Sequence, residues 1–332
     1  MKLSIRLLWV TFLISWLVIS CQPTPTETPS ALPATLAPFP TSTPAPAGAT
    51  PVVESTPIPL PLVPNFSHIV MIVFENKEFD SVIGNGKMAY FNLLANSYTL
   101  LTSHYAVAHP SLPNYLAFIG GDTLGATDDC ENCFTNVPSL PDLIEQSGRT
   151  WKTYQDDMPD PCFVGSTLRY LQSHNPFMYF DSIRLNAERC QRSVVPLTQL
   201  DGDIALNDLP NFMFIAPDIC YSSHDCDLDL ADGWLKNLLD KLYPMLESTG
   251  ESFLIILTWD EGRTSQSCCG LPESAGGRVA TIFISPQVKQ NFKDETPYSH
   301  YSILKTIAEA WGLTKLGHAA DAETNLITAP WK

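Results

Sequence analysis

The sequence predicts an α/β fold, a single domain with a largely parallel central sheet flanked by helices, and two observations predict it. Three apolar runs of strand length, residues 68–74, 212–216 and 253–259, each end directly in polar or acidic residues: Glu75-Asn76, Pro217-Asp218 and Asp260-Glu261-Gly262. Continuous apolar runs of this length suit strands covered on both faces, as in parallel sheets. Between the runs lie stretches with apolar residues at helical spacing, and strand alternating with helix is the pattern of one α/β domain.

Taken in order, residues 1–6 carry Lys2 and Arg6 and lead into the apolar stretch 7–19, the layout of a secretory signal. Val18-Ile19-Ser20-Cys21 resembles the lipobox of bacterial lipoproteins, whose signal is cut before a cysteine that is then lipidated. A plain secretory signal or a single membrane anchor are the alternatives. Residues 22–64 are mostly Pro, Thr, Ala and Ser, without periodic apolar residues, and read as a semi-rigid tether. The expected division is a lipoprotein signal peptide at 1–20, a lipidated Cys21 with its tether at 21–64, and the folded domain at 65–332. That division implies an extracytoplasmic protein held to a membrane by a lipid on Cys21.

Within the domain, the segment His109-Pro110-Ser111-Leu112-Pro113-Asn114-Tyr115 reads as the first turn of a buried helix that ends at Gly120-Gly121. Residues 232–247 place Trp234, Leu235, Leu238, Leu239 and Leu242 on one helical face, and residues 301–311 do the same with Ile303, Leu304, Ile307 and Ala308 before Gly312. Residues 279–285 form a fourth strand candidate.

A chain of 332 residues, 45% hydrophobic, can bury a sizeable core. Its formal charge of -16 argues against a nucleic-acid backbone or an anionic lipid surface as the main partner, because either would repel it. Apart from Cys21, eight cysteines remain, and an even count in an exported domain points to disulfides. A Cys220–Cys226 bridge would pin the loop between them. Cys130-Glu131-Asn132-Cys133 also has the spacing of half a zinc knuckle, but no second half follows at finger spacing.

The chemistry centres on Ser111. Unpaired N–H groups and the dipole at a helix N-terminus favour an anion, so a phosphate can rest against the hydroxyl, although an ordinary N-cap serine is the plain alternative. Carboxylates gathered at one sheet edge repel one another unless a cation neutralises them. Oxygen-rich ligands with a few imidazoles suit a divalent metal ion such as Mg, Ca, Mn or Zn. A metal beside the Ser111 oxygen would lower the cost of the alkoxide.

These pieces occur in a recognisable order. Residues 74–80 (Phe-Glu-Asn-Lys-Glu-Phe-Asp), 110–115 (Pro-Ser-Leu-Pro-Asn-Tyr), 174–177 (His-Asn-Pro-Phe), 217–226, 258–262 (Thr-Trp-Asp-Glu-Gly) and 299–302 (Ser-His-Tyr-Ser) resemble the bacterial phosphoesterase family of acid phosphatases and phospholipases C, a branch of the alkaline phosphatase superfamily. The resemblance implies an alkaline-phosphatase-like fold and a metal-dependent phosphomonoesterase of acid phosphatase type, acting on phosphate esters outside the cytoplasm. It implies Ser111 as nucleophile, Asn114 holding a phosphoryl oxygen, and Glu75, Asn76, Asp260 and Glu261 holding the metal. His174 and His224 would donate to phosphoryl oxygens or protonate the leaving alcohol, and His300 would ligate metal or support the site. His104 and His109 are left as structural. Where similar proteins usually read Asn-Asp-Met-His-Asp, this chain has Tyr221-Ser222-Ser223-His224-Asp225; the missing acid at Ser222 counts against a second metal contact there, and Asp225 carries no assigned role. The alternatives are a phospholipase C-type phosphodiesterase, ranked second because little chain follows the 299–311 segment, and a non-catalytic surface protein that uses the fold to bind a ligand.

Overall fold

The computed structural model describes residues 61–332. The proposed signal peptide, Cys21 and the tether up to residue 60 lie outside the described residues. Val63 and Phe66 are already buried in the core, so the folded part begins slightly before the expected residue 65.

Among the described residues, nine strands form one sheet. They are β1 (His68–Phe74), β2 (Thr99–Tyr105), β3 (Trp151–Gln155), β4 (Val194–Pro196), β5 (Phe212–Ala216), β6 (Phe253–Trp259), β7 (Arg278–Ile284), β8 (Phe292–Asp294) and β9 (Tyr298–Ser299). Their spatial order is β4-β3-β5-β1-β6-β7-β2-β8, with β9 also beside β2. Every pairing is parallel except the two made by β7, which runs antiparallel to both β6 and β2. The fold is therefore a mixed α/β domain with a largely parallel sheet, as expected.

Helices cover both faces, and β1 shows how one apolar run serves two layers. Ile69, Met71 and Val73 join a cluster with Leu112, Tyr115 and Phe118 of helix Ser111–Gly120 and Ile303, Leu304 and Ile307 of helix His300–Trp311. The alternate residues Val70, Ile72 and Phe74 join Phe91 of helix Ala89–Ser97 and Leu235, Leu238 and Leu242 of helix Leu228–Ser248. Side chains alternate across a strand, so a run apolar at every position fits only a sheet buried on both sides. The long helix starts four residues earlier than its periodicity marks, because Leu228 and Ala231 continue the buried stripe. Gly121 ends the Ser111 helix at φ 76°, and a Cβ there would run into the Leu316 carbonyl.

The eight cysteines pair as Cys130–Cys133, Cys162–Cys190, Cys220–Cys226 and Cys268–Cys269. The expected bridge across the 220–226 loop is present.

Candidate active site

The parallel register of β1 and β6 sets Phe74 opposite Trp259, so the next residues, Glu75 and Asp260, leave the sheet side by side. The Asp260 N–H donates to the Phe74 carbonyl at 2.8 Å. Asn76 then turns the chain with φ 58°, a left-handed conformation that asparagine tolerates better than most residues, and its N–H donates to Asp260 Oδ1 at 2.9 Å. Its side-chain amide reaches Glu75 Oε2 at 3.4 Å.

Ser111 opens its helix at the same sheet edge and is buried, with Oγ donating to Glu75 Oε2 at 3.1 Å. Tyr115 lies one turn on, on the same helix face, and its hydroxyl donates to Glu75 Oε1. Tyr115 was missed as a site residue, although its i+4 spacing from Ser111 could have found it. The Leu112 N–H donates to Asp129 Oδ1 at 2.9 Å, so an acid of the chain itself already uses part of the anion-attracting helix start.

Asn114 is turned toward the backbone. Its Oδ1 accepts from the N–H groups of Val107 and Ala108 at 2.9 and 3.1 Å, while its Nδ2 donates to the carbonyls of Ala108 and Pro110 at 2.8 and 3.1 Å. With both ends of the amide engaged, it braces the segment that presents Ser111 and has no free donor for a phosphoryl oxygen.

The histidines divide into two kinds. His174 is buried with Nδ1 3.4 Å from Glu75 Oε1, its ring stacked on Tyr115 with centroids 5.4 Å apart. Burial, reinforced by the neighbouring His224, pushes its pKa down to about 3, so it is neutral. His224 is exposed, 5.8 Å from His174 between ring centroids, and its Nδ1 is held by Asp225 Oδ1 at 2.6 Å. The disulfide-closed loop places it there, and Ser222, where an acid was missing, uses its hydroxyl to accept the His224 N–H at 3.3 Å.

His300 lies against the Asp260 backbone. Its Nε2 meets the Asp260 main-chain carbonyl at 2.5 Å and its Nδ1 meets His104 Nε2 at 3.2 Å, while His104 Nδ1 reaches Thr281 Oγ1, which reaches Thr258 Oγ1. A carbonyl only accepts, so His300 carries its proton on Nε2. Burial depresses both imidazoles, to about 3 for His300, so each has one N–H. The remaining donors follow: His104 donates from Nε2, Thr281 donates to His104, and Thr258 donates to Thr281. Both ring nitrogens of His300 are thus engaged within the fold.

His109, left as structural, faces the site. Its Nδ1 meets Glu261 Oε2 at 2.6 Å and its Nε2 meets the Thr264 carbonyl at 3.0 Å, both acceptors, so it carries two protons. The Glu261 bond outweighs partial burial and raises its pKa to about 9. No sequence signal beyond its place two residues before Ser111 marked it.

Burial, with Asp260 next to it and Glu261 nearby, raises the Glu75 carboxyl well above its ordinary value. Burial and then Glu261 raise Asp260. Asp260 Oδ2 is buried without a hydrogen-bond partner. An orphaned carboxylate oxygen beside Glu75, Asn76, Ser111 and Glu261 is an all-oxygen donor set, which fits a hard divalent cation. Among the described residues, the one trio of His, Cys, Asp or Glu ligand atoms mutually within 4.8 Å is Asp128, Cys130 and Cys133, whose two sulfurs are joined to each other. Glu75, Asp260 and Glu261 do not all come within that distance of one another, and Glu261 is turned toward His109.

Residues 85–314 match the sequence profile of the Phosphoesterase family. The chain belongs to that family. The matched region contains Ser111, Asn114, His174, His224, Asp260, Glu261 and His300; Glu75 and Asn76 precede it. Among curated relatives, a phosphate-repressible acid phosphatase of Penicillium chrysogenum is 32% identical over 272 residues, covering 79% of this chain and 63% of that protein. An acid phosphatase of Aspergillus fumigatus is 30% identical, covering 76% of this chain and 56% of the relative. This chain thus spans less than two thirds of the length of these fungal relatives. A phosphatidylinositol-3-phosphatase of Mycobacterium tuberculosis is 30% identical over 78% of this chain and 82% of its own. Among solved structures, the lipoteichoic acid synthase LtaP of Listeria monocytogenes superposes with a TM-score of 0.54 at 10% identity, covering 82% of this chain and 77% of that one. An alkaline phosphatase superfamily protein of Vibrio parahaemolyticus gives 0.50 at 11% identity, covering 78% and 71%. At such identities the shared property is the fold.

Proposed function

We propose that this Phosphoesterase family domain is a phosphoric monoester hydrolase of acid phosphatase type, dependent on a divalent metal ion, with Ser111 as its nucleophile. The observation that carries the reading is the buried Ser111 hydroxyl bonded to Glu75 within a group of carboxylates that includes an unpartnered Asp260 oxygen. Residues so perturbed by burial and like charge cluster at functional sites. The acid phosphatase relatives support the reaction class.

Glu75, Asn76, Asp260 and Glu261 would hold the metal ion, which when bound supplies positive charge for the phosphoryl oxygens and for the Ser111 oxygen. The chain's own groups account for the proton movements. Ser111 Oγ attacks phosphorus and yields its proton to Glu75 Oε2, the atom it already contacts. The bond from phosphorus to the leaving oxygen breaks, and that oxygen takes a proton from His224 Nε2, the nitrogen left over by the Asp225 bond. Water then attacks the phosphoserine and gives a proton back to His224, while Glu75 returns one to Ser111 as phosphate leaves. Neutral His174 offers an N–H to a phosphoryl oxygen without adding charge. Positioning and charge stabilisation supply most of the rate, as in other phosphoryl transfers.

The proposal extends to location: an extracytoplasmic protein anchored by a lipid on Cys21, with 21–64 as tether. The four disulfides of the described residues support export.

The test is hydrolysis of a chromogenic phosphomonoester and a phosphodiester by the purified chain, with and without chelator. Acid quenching during monoester turnover should leave phosphate on Ser111, read by peptide mass spectrometry. Diester turnover exceeding monoester turnover, or activity untouched by chelator, would overturn the proposal.

A further inference from the structure

The loop after β6 carries Glu261 and runs through residues 262–277 before β7 returns. One side chain from the other half of the site ties this loop down. Glu78 lies three residues beyond Glu75, and its Oε2 accepts the N–H groups of Arg263 and Thr264 at 2.8 and 3.1 Å. Its Oε1 accepts the Thr264 hydroxyl at 3.1 Å and the Arg278 N–H at 3.0 Å. Four donors on one side chain suit a carboxylate, which only accepts through both oxygens. Two glycines make room for it: a Cβ on Gly262 would overlap the Glu78 carboxylate, and one on Gly277 would come within 2.9 Å of it. Thr264, so held, gives its carbonyl to His109 Nε2 at 3.0 Å, and His109 Nδ1 holds Glu261 Oε2 at 2.6 Å.

We propose that Glu78, Thr264 and His109 form a bracket that positions Glu261, with Glu78 as a positioning residue that locks the Asp260-Glu261 loop to the Glu75-Asn76 turn. The inference rests on the metal-site reading above and goes beyond it by assigning these three residues. The chain of contacts runs from the β1 turn to the β6 loop and back to the side chain of Glu261, so the two halves of the ligand set move as one body. Replacing Glu78 by glutamine puts an amide NH2 where one carboxylate oxygen accepts, so at least the bond from the Arg278 N–H is lost and the bracket that directs Glu261 is loosened.

The experiment is isothermal titration of the purified chain with Mn²⁺ alone, for wild type, Glu78→Gln, Glu261→Gln and the double variant. Glu78→Gln should weaken Mn²⁺ binding by about tenfold, the scale typical of groups that orient metal ligands. In the Glu261→Gln background the same change should do almost nothing, because its target is gone. An equal loss in both backgrounds, or no loss from Glu78→Gln, overturns the bracket while leaving the metal reading in place. A wild-type chain that binds no Mn²⁺ overturns the metal reading, and the bracket falls with it. Should Glu78→Gln fail to fold, Thr264→Val removes the hydroxyl bond alone and should give a smaller loss with the same dependence on Glu261.

Discussion

Two groups of carboxylates in this molecule meet opposite electrical surroundings. On helix Leu140–Gln146, Asp142 closes a capping box with Ser139 and is met by Arg189 at 2.7 Å, which also reaches Glu145 at 3.0 Å. Burial pushes the Asp142 carboxyl up, but the Ser139 bonds and Arg189 outweigh it and hold it below its ordinary value. At the ends of β1 and β6, burial raises Glu75 and Asp260 instead, reinforced by the Asp260 charge on Glu75 and the Glu261 charge on Asp260, and one Asp260 oxygen has no partner. The first group is neutralised by the chain and fixes a helix to its neighbour. The second is the kind of arrangement a fold retains when something outside the chain completes it, since an uncompensated buried charge opposes folding.

The contrast sharpens if each group is broken separately. Ser111→Ala should lower kcat by at least about 10³-fold while changing stability by less than about 1 kcal/mol, measured by steady-state kinetics and urea unfolding. A loss of only a few-fold would remove Ser111 as nucleophile. Arg189→Met should do the reverse. It strands Asp142 and Glu145, and should cost about 2–4 kcal/mol in the same unfolding experiment, less than a fully buried pair because Glu145 is partly exposed. Turnover per folded molecule should be unchanged; a selective loss of activity would mean the two groups are not separate.

A smaller effect tests how His224 is held. Asp225→Asn should lower kcat by about tenfold with little change in KM, because a group that orients a proton donor acts in the transition state. A change confined to KM would place Asp225 in substrate binding. The smallest effect is on acid stability. Asp142 has a folded-state pKa below its unfolded one, so its contribution is fully present above about pH 4 and is lost as pH falls through the folded value. Asp142→Asn should therefore flatten the acid limb of the stability curve below about pH 4, and an unchanged limb would show that Asp142 plays no part in it.

How much of this was legible in the sequence follows from the kind of residue involved. β1, β5 and β6 were visible because strands buried on both faces are apolar at every position. β2 and β3 were not. Thr-Leu-Leu-Thr-Ser-His-Tyr and Trp-Lys-Thr-Tyr-Gln mix polar residues into buried strands, and those residues are satisfied by contacts no local pattern shows, such as Thr281 on His104 and Asp203 on the Tyr154 hydroxyl. That Glu75 and Asp260 share a sheet edge was legible because both directly follow apolar strands; that the two strands are neighbours is shown only by their pairing. The motif marks Asn114, but no local pattern shows its four backbone contacts. Tyr115, His104 and His109 act through partners at least 40 residues away in sequence, and spacing is silent about such pairs.

The proposed divalent-cation site is formed by the carboxylates at the ends of β1 and β6. Thermal unfolding of wild type and Asp260→Asn, each with chelator and with saturating Mn²⁺, tests it most directly. Metal at about 100 times its Kd should stabilise the wild type by about 2.7 kcal/mol. Asp260→Asn should lose most of that increment, yet with chelator present it should unfold at the same temperature as wild type or slightly higher, because one of the repelling charges is gone. If Asp260→Asn lowers the unfolding temperature equally in both conditions, Asp260 is a structural carboxylate and the proposed site is contradicted.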